Sequence, residues 1–239
     1  MLMRKNCLFV LSSLMAILIS AVAYADTVTL TGGTIDKSVV INSIYVSPFN
    51  LHDQEKDFDF IGFCGDPSVT ASNNFLNGSG EVFSWALLTE YANYGPDLKS
   101  TIQELFDHTY SHAFDSDGSL LDITVGRALQ VALWNTLQPG FMSTTGYSSD
   151  GSLALAGEFL SALAGTKEWG DINYKGIDFG DSVKTTLVVF APNPITKTQT
   201  LISANYLVEQ FTVTPEPATL AILGFGFFGV GFIARRRYQ

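Results

Sequence analysis

An α+β fold is predicted, in which strands from both ends of a central domain form a sheet or β-sandwich around an inserted block of about four helices. One further helix, near the C-terminus, crosses a membrane. Three observations lead there. Alternating or β-branched stretches flank a block of 3.6-residue periodicity. The two ends of the chain are apolar and uncharged over helix-length runs. The stretch between them carries charge of nearly one sign, with eight basic residues against 22 acidic from 26 to 214, a net charge near −14 where the whole chain has −10.

Taken in order, Arg4 and Lys5 precede an apolar run over 8–22, and Ala23-Tyr24-Ala25 has the small-x-small pattern of a signal-peptidase site, so 1–25 read as a signal peptide. Cys7 opens that run, where a lipidation cysteine would have to follow it. Residues 28–30 and 39–46 are strand-like, bounded by Gly32-Gly33 and Pro48. A third strand runs over 57–64, its Asp57-Phe58-Asp59-Phe60 alternating before Ile61-Gly62-Phe63-Cys64, and Gly65-Asp66-Pro67 then turns the chain. Residues 73–80 are polar and glycine-bearing, hence loop. Helices follow over 81–94, 97–114, 123–137 and 152–164, each stopped by glycine, proline or an Asp/Ser/Gly turn. Strand character returns over 185–190, 199–206 and 208–213. The domain so defined, 26–213, is large enough for one real core and leaves little room for two. Its acidity excludes nucleic acid and anionic lipid as partners.

The last segment, 214–239, has three parts. Pro215, Glu216 and Pro217 form a box, 218–234 are uncharged and apolar, and Arg235, Arg236 and Arg237 follow. Seventeen residues make a helix about 25 Å long, at the short end of what spans a hydrocarbon core. The three arginines favour the cytoplasmic side, leaving the domain outside. This order resembles the PEP-CTERM sorting signal. The resemblance implies processing by an exosortase after signal peptidase has acted, anchoring in the inner membrane until then, and delivery to the cell surface or the extracellular polysaccharide matrix.

Export leaves Cys64 as the one thiol of the domain, in an oxidising compartment. It is buried and inert, paired with another chain, nucleophilic, or consumed in an intramolecular bond. The helix over 123–137 supplies a second unusual residue. Gln130 and Trp134, four apart, share one face, while Leu129, Ala132, Leu133 and Leu137 mark another, so the helix is buried nearly all round with a glutamine inside it. A hydrogen-bonded core amide beside a packed tryptophan would account for the pair without further chemistry.

Phe63-Cys64 at a strand end, Gln130-x-Ala132-x-Trp134 on a later helix, and Trp85-Ala86-Leu87-Leu88 with Tyr91 and Tyr94-Gly95 between them resemble the thioester domain of bacterial surface proteins. The resemblance implies that the Cys64 sulfur attacks the Gln130 carboxamide, ammonia leaves, and an internal thioester remains, with Trp134 a wall of the pocket. Such a bond is reactive without turnover, and it exchanges with a partner's surface amine into an amide, which is covalent adhesion and needs no cofactor. An unreacted pair in a structural component of the polysaccharide matrix is the alternative.

Other motifs carry less. His108 and His112 lie at i and i+4 as in zinc sites, without the glutamate of HExxH or a third ligand, so no metal is expected. Asp115-Ser116-Asp117-Gly118 fails the calcium-loop register and reads as a helix-ending turn. The glycines at 224, 226 and 229 match a nucleotide-binding spacing inside the membrane segment, with no strand before them. A hydrolase with Cys64 as nucleophile and His52, His108 or His112 as base lacks any group to orient the histidine.

Overall fold

In a computed structural model, the described residues are 27–35, 40–41, 44–69, 73–145, 148–192 and 198–204, and they belong to the compact unit Ala25–Tyr206. Six strands close into an antiparallel barrel: β1 (Thr27–Thr34), β4 (Phe49–Asp53), β5 (Phe58–Cys64), β8 (Leu201–Ala204), β7 (Leu187–Pro192) and β6 (Glu81–Leu87), in that spatial order. β1 closes it by pairing β6 with its first half and β4 with its second, and Leu30 faces both Glu81 and Asp53. The short strands β2 (Val40–Ile41) and β3 (Ile44–Tyr45) pair with each other, so the single strand expected over 39–46 is a hairpin.

Alternation sends one face of β4 inward, where Phe49, Leu51 and Asp53 are buried and Asn50 is exposed, whereas β8 is buried throughout. The interior is aromatic. Phe60 meets Phe190 at 5.5 Å between ring centroids, and Phe75 bridges Phe49 at 6.0 Å and Phe83 at 6.1 Å. Gly62 leaves room for Leu51, whose Cδ1 would lie 2.2 Å from a Cβ at that position.

Three longer helices sit between β6 and β7 in the chain: α2 (Pro96–Ala113), α3 (Ile123–Leu137) and α4 (Ser152–Leu163), with a four-residue α1 (Asn73–Leu76) earlier, inside the expected 73–80 loop. The expected helix over 81–94 is instead the barrel strand β6 followed by turns. Val82 is exposed and Phe83 buried, a period of two, and Phe83 to Leu87 pair with β7, which leaves no place for a helix there. The sheet is a closed barrel where an open sheet or sandwich was expected. Closure removes the free edges that β1 and β6 would otherwise present.

α2 begins with Pro96 at its first turn, a position that needs no N–H donor. α3 starts at an Asp122 cap, whose carboxylate accepts from the backbone N–H of Thr124 at 2.8 Å and of Val125 at 3.3 Å, worth about 1 kcal/mol. α3 packs between α2 and α4 and reaches β5, so that it is buried from Thr124 to Asn135. Phe63, fully buried, fixes α2 against β5 through edge contacts with Phe106 at 5.2 Å, Phe114 at 6.0 Å and Tyr110 at 6.3 Å. Among the described residues no helix is long and apolar enough to cross a membrane, and the expected membrane helix over 218–234 lies outside them.

Candidate functional site

Cys64 is the last residue of β5, where the strand leaves the barrel for the turn at Gly65. On one side it pairs with Leu201 of β8. On the other it is held by a side chain. Gln130, wholly buried in mid-α3, accepts from the Cys64 backbone N–H at 2.8 Å through Oε1 and donates from Nε2 to the Cys64 carbonyl at 2.9 Å. The amide thus stands in for a neighbouring strand and satisfies both polar groups of a buried peptide.

The sulfur has a different partner. Sγ lies 2.7 Å from Oε1 of Gln199 and 3.2 Å from the Asp66 carbonyl. The first separation is shorter than a thiol–oxygen hydrogen bond normally runs. Gln199 is 4 % exposed and sits just ahead of β8. Two bonds fix its neighbours: the Gly65 N–H donates to the Thr200 carbonyl at 2.7 Å, and the Thr198 hydroxyl donates to Oε2 of the buried Glu81 at 2.8 Å. Nε2 of Gln199 is buried and has no hydrogen-bond partner among the described residues.

Trp134, one turn beyond Gln130 on α3, is 3 % exposed and packs edge-on against Phe141 at 5.9 Å. Its indole N–H meets no aligned acceptor among the described residues, yet it is near enough to the Cys64 sulfur to favour the thiolate. Burial outweighs that help. It pushes the Cys64 thiol from 9.0 up to about 12, against the lowering effect of the Asp66 backbone bond and Trp134 and with a further rise from the Asp66 charge. The sulfur is therefore a neutral thiol at ordinary pH, and it makes no disulfide. Tyr94 completes the surroundings: its hydroxyl donates to the Gly65 carbonyl at 3.4 Å and its ring meets Tyr91 at 4.8 Å. Burial first, then the charges of Tyr91, Asp66 and Cys64, raise its phenol so that it stays protonated.

The structure brings Cys64, Gln130 and Trp134 together. It differs from the sequence expectation in what the glutamine does, since both amide atoms of Gln130 are committed to the Cys64 backbone while the sulfur faces Gln199. The histidines are elsewhere engaged. His52 pairs with Asp59 at 2.9 Å, His108 bonds the Phe179 carbonyl at 2.7 Å and stacks on Trp169, and His112 packs against Phe179. Among the described residues no cluster of three or more His, Cys, Asp or Glu could hold a metal ion. Pro215, Glu216, Pro217, Arg235, Arg236 and Arg237 lie outside the described residues.

Residues 213–237 match the family model for the PEP-CTERM protein-sorting motif. The chain carries that motif, and its fold is similar to N-terminal thioester domains of surface proteins. One is from a Clostridium perfringens surface protein, at 11% identity and TM-score 0.47, covering 74% of this chain and 98% of that one. Another is from the fibronectin-binding protein SfbI of Streptococcus pyogenes, at 13% identity and TM-score 0.45, covering 73% and 91%. The Bacillus anthracis TIE protein matches at 9% identity and TM-score 0.45, covering 75% and 46%. At such identities and TM-scores the likeness ascribes no chemistry to this chain. No curated protein matches it.

Proposed function

We propose that this is an exported, exosortase-processed cell-surface protein whose barrel domain, 26–213, forms an internal thioester for covalent attachment to partner amines, with Cys64 as nucleophile and Gln199 as acyl donor. The observation that carries the reading is the 2.7 Å approach of Sγ to a buried carboxamide whose NH2 group has no partner among the described residues. Sulfur and carbonyl are held together in a desolvated place, which is what a thiol needs to attack so poor an electrophile as an amide. The nitrogen that would leave gives up no hydrogen bond to the described residues. Loss of the Gln130 nitrogen would instead strip the donor from the Cys64 carbonyl, at a cost of about 1–3 kcal/mol. Gln130 is then a positioning residue, holding Cys64 so that its sulfur projects toward Gln199.

The sorting motif supports the placement. A box of Pro215, Glu216 and Pro217, an apolar run and three arginines suit an inner-membrane anchor that is cut to release the domain to the surface or matrix.

Methylamine uptake tests the reading. The full chain purified in detergent should gain one methylamine at Gln199 and expose one titratable thiol as it does so. Gln199→Ala and Cys64→Ala should take up none. Uptake at Gln130 would restore that residue as acyl donor. No uptake, with a free thiol in the untreated protein, would leave a structural matrix component.

A further inference from the structure

The site's hydrogen-bond donors are nearly all spent. The Cys64 N–H goes to Gln130, the Gly65 N–H to the Thr200 carbonyl, the Gln130 amide to the Cys64 carbonyl, and the Tyr94 hydroxyl to the Gly65 carbonyl. Two buried donors of the site remain without an aligned acceptor among the described residues, Nε2 of Gln199 and Nε1 of Trp134. The first is the group that leaves. A buried N–H that has only the nearby Cys64 sulfur, poorly aligned, gains less than a full hydrogen bond, so the second calls for an explanation.

The reaction supplies one. Resting on the thioester reading, the steps are these. Sγ adds to Cδ of Gln199, its carbonyl oxygen takes the electron pair and becomes an oxyanion, and the thiol proton passes to the amide nitrogen. The C–N bond then breaks and ammonia departs. In the second step a primary amine adds to the thioester carbon, the same oxygen again carries the charge, and the S–C bond breaks as a proton of the amine nitrogen passes to sulfur, leaving an amide and the thiol. Both tetrahedral states place an oxyanion on the carbon bonded to sulfur, and the indole N–H lies near that sulfur. We infer that the Trp134 indole N–H is the oxyanion donor of this site, acting in both thioester formation and amine transfer. The two bonds from Gln130 fix Cys64 against α3, and Trp134 stands one turn further along the same helix, so the donor is set before charge develops.

Trp134→Phe keeps the aromatic wall and deletes the N–H. In the full chain in detergent, methylamine uptake should slow by about 100-fold or more, the usual effect of removing one oxyanion donor, with the thermal midpoint little changed. Uptake at the wild-type rate by a folded Trp134→Phe would overturn the inference. If that variant does not fold, the thioester carbonyl stretch of wild type, identified with carbon-labelled glutamine, tests the same contact. A frequency below that of a free alkyl thioester is expected, and equality with it would overturn the inference. A wild-type protein that forms no thioester at all removes the parent reading, a result distinct from a normal thioester that ignores Trp134→Phe.

Discussion

Replacing Gln130 by glutamate isolates its role as a neutral amide that both donates and accepts. At this position, with no solvent exposure, a protonated carboxyl can donate to the Cys64 carbonyl and accept from the Cys64 N–H, keeping both bonds. The ionised form has no donor, leaves that carbonyl unsatisfied and buries a charge. The folded-state pKa of Gln130→Glu is thereby raised above the unfolded value of about 4.3. Above that pH the folded protein binds more protons than the unfolded chain, so stability is full below it and falls as pH rises, by about 1.4 kcal/mol per unit until the folded pKa is passed. Two units therefore cost about 2.7 kcal/mol, which in a unit of this size lowers the melting temperature by about 5–10 °C. Melts of Gln130→Glu and its parent, both in a Gln199→Ala background that cannot form the crosslink, should converge at low pH and separate as pH rises. A difference that does not change with pH would refute the positioning role.

The crosslink itself acts on the unfolded chain: joining residues 135 apart should stabilise by about 5 kcal/mol on the chain-entropy model, so Gln199→Ala and Cys64→Ala should both melt well below wild type, and equal melting would argue against the bond. Gln199→Ala keeps a thiol that burial raises above its unfolded value, so it should lose stability as pH rises above about 8.5, whereas wild type, with no thiol to titrate, should not. Alanine at Pro215, Glu216 and Pro217 should leave the protein uncleaved in the inner membrane, seen by fractionation and immunoblot, and normal release would remove the exosortase reading.

Helix α3 was legible to the residue because its signals are local: Pro139-Gly140 beyond its end and apolar residues nearly all round before it, to which the structure adds the Asp122 cap. Cys64 at a strand end was legible for the same reason, since the apolar run of the strand stops there and the Gly65-Asp66-Pro67 turn begins. β6 was not. Trp85-Ala86-Leu87-Leu88 suits either period, and only the gap between β1 and β7, a property of the closed barrel, makes it a strand. Gln199 carries no local signal, since in the sequence it is only the first residue of a strand-like stretch. What gives it meaning is long-range register: Cys64 opposite Leu201 brings the residues just ahead of β8 to the sulfur, and no local pattern encodes that pairing. Gln130 is conspicuous in the sequence because a glutamine inside a buried helix needs a partner, but a sequence does not tell a partner for backbone from a partner for sulfur.

Peptide mapping of the untreated full chain, digested at low pH to preserve thioesters, addresses the pairing most directly. A peptide containing Cys64 joined to one containing Gln199, lighter than their sum by one ammonia and separating on hydroxylamine treatment, is expected. Separate peptides of full mass with a free Cys64, or a join to Gln130 in place of Gln199, would contradict it.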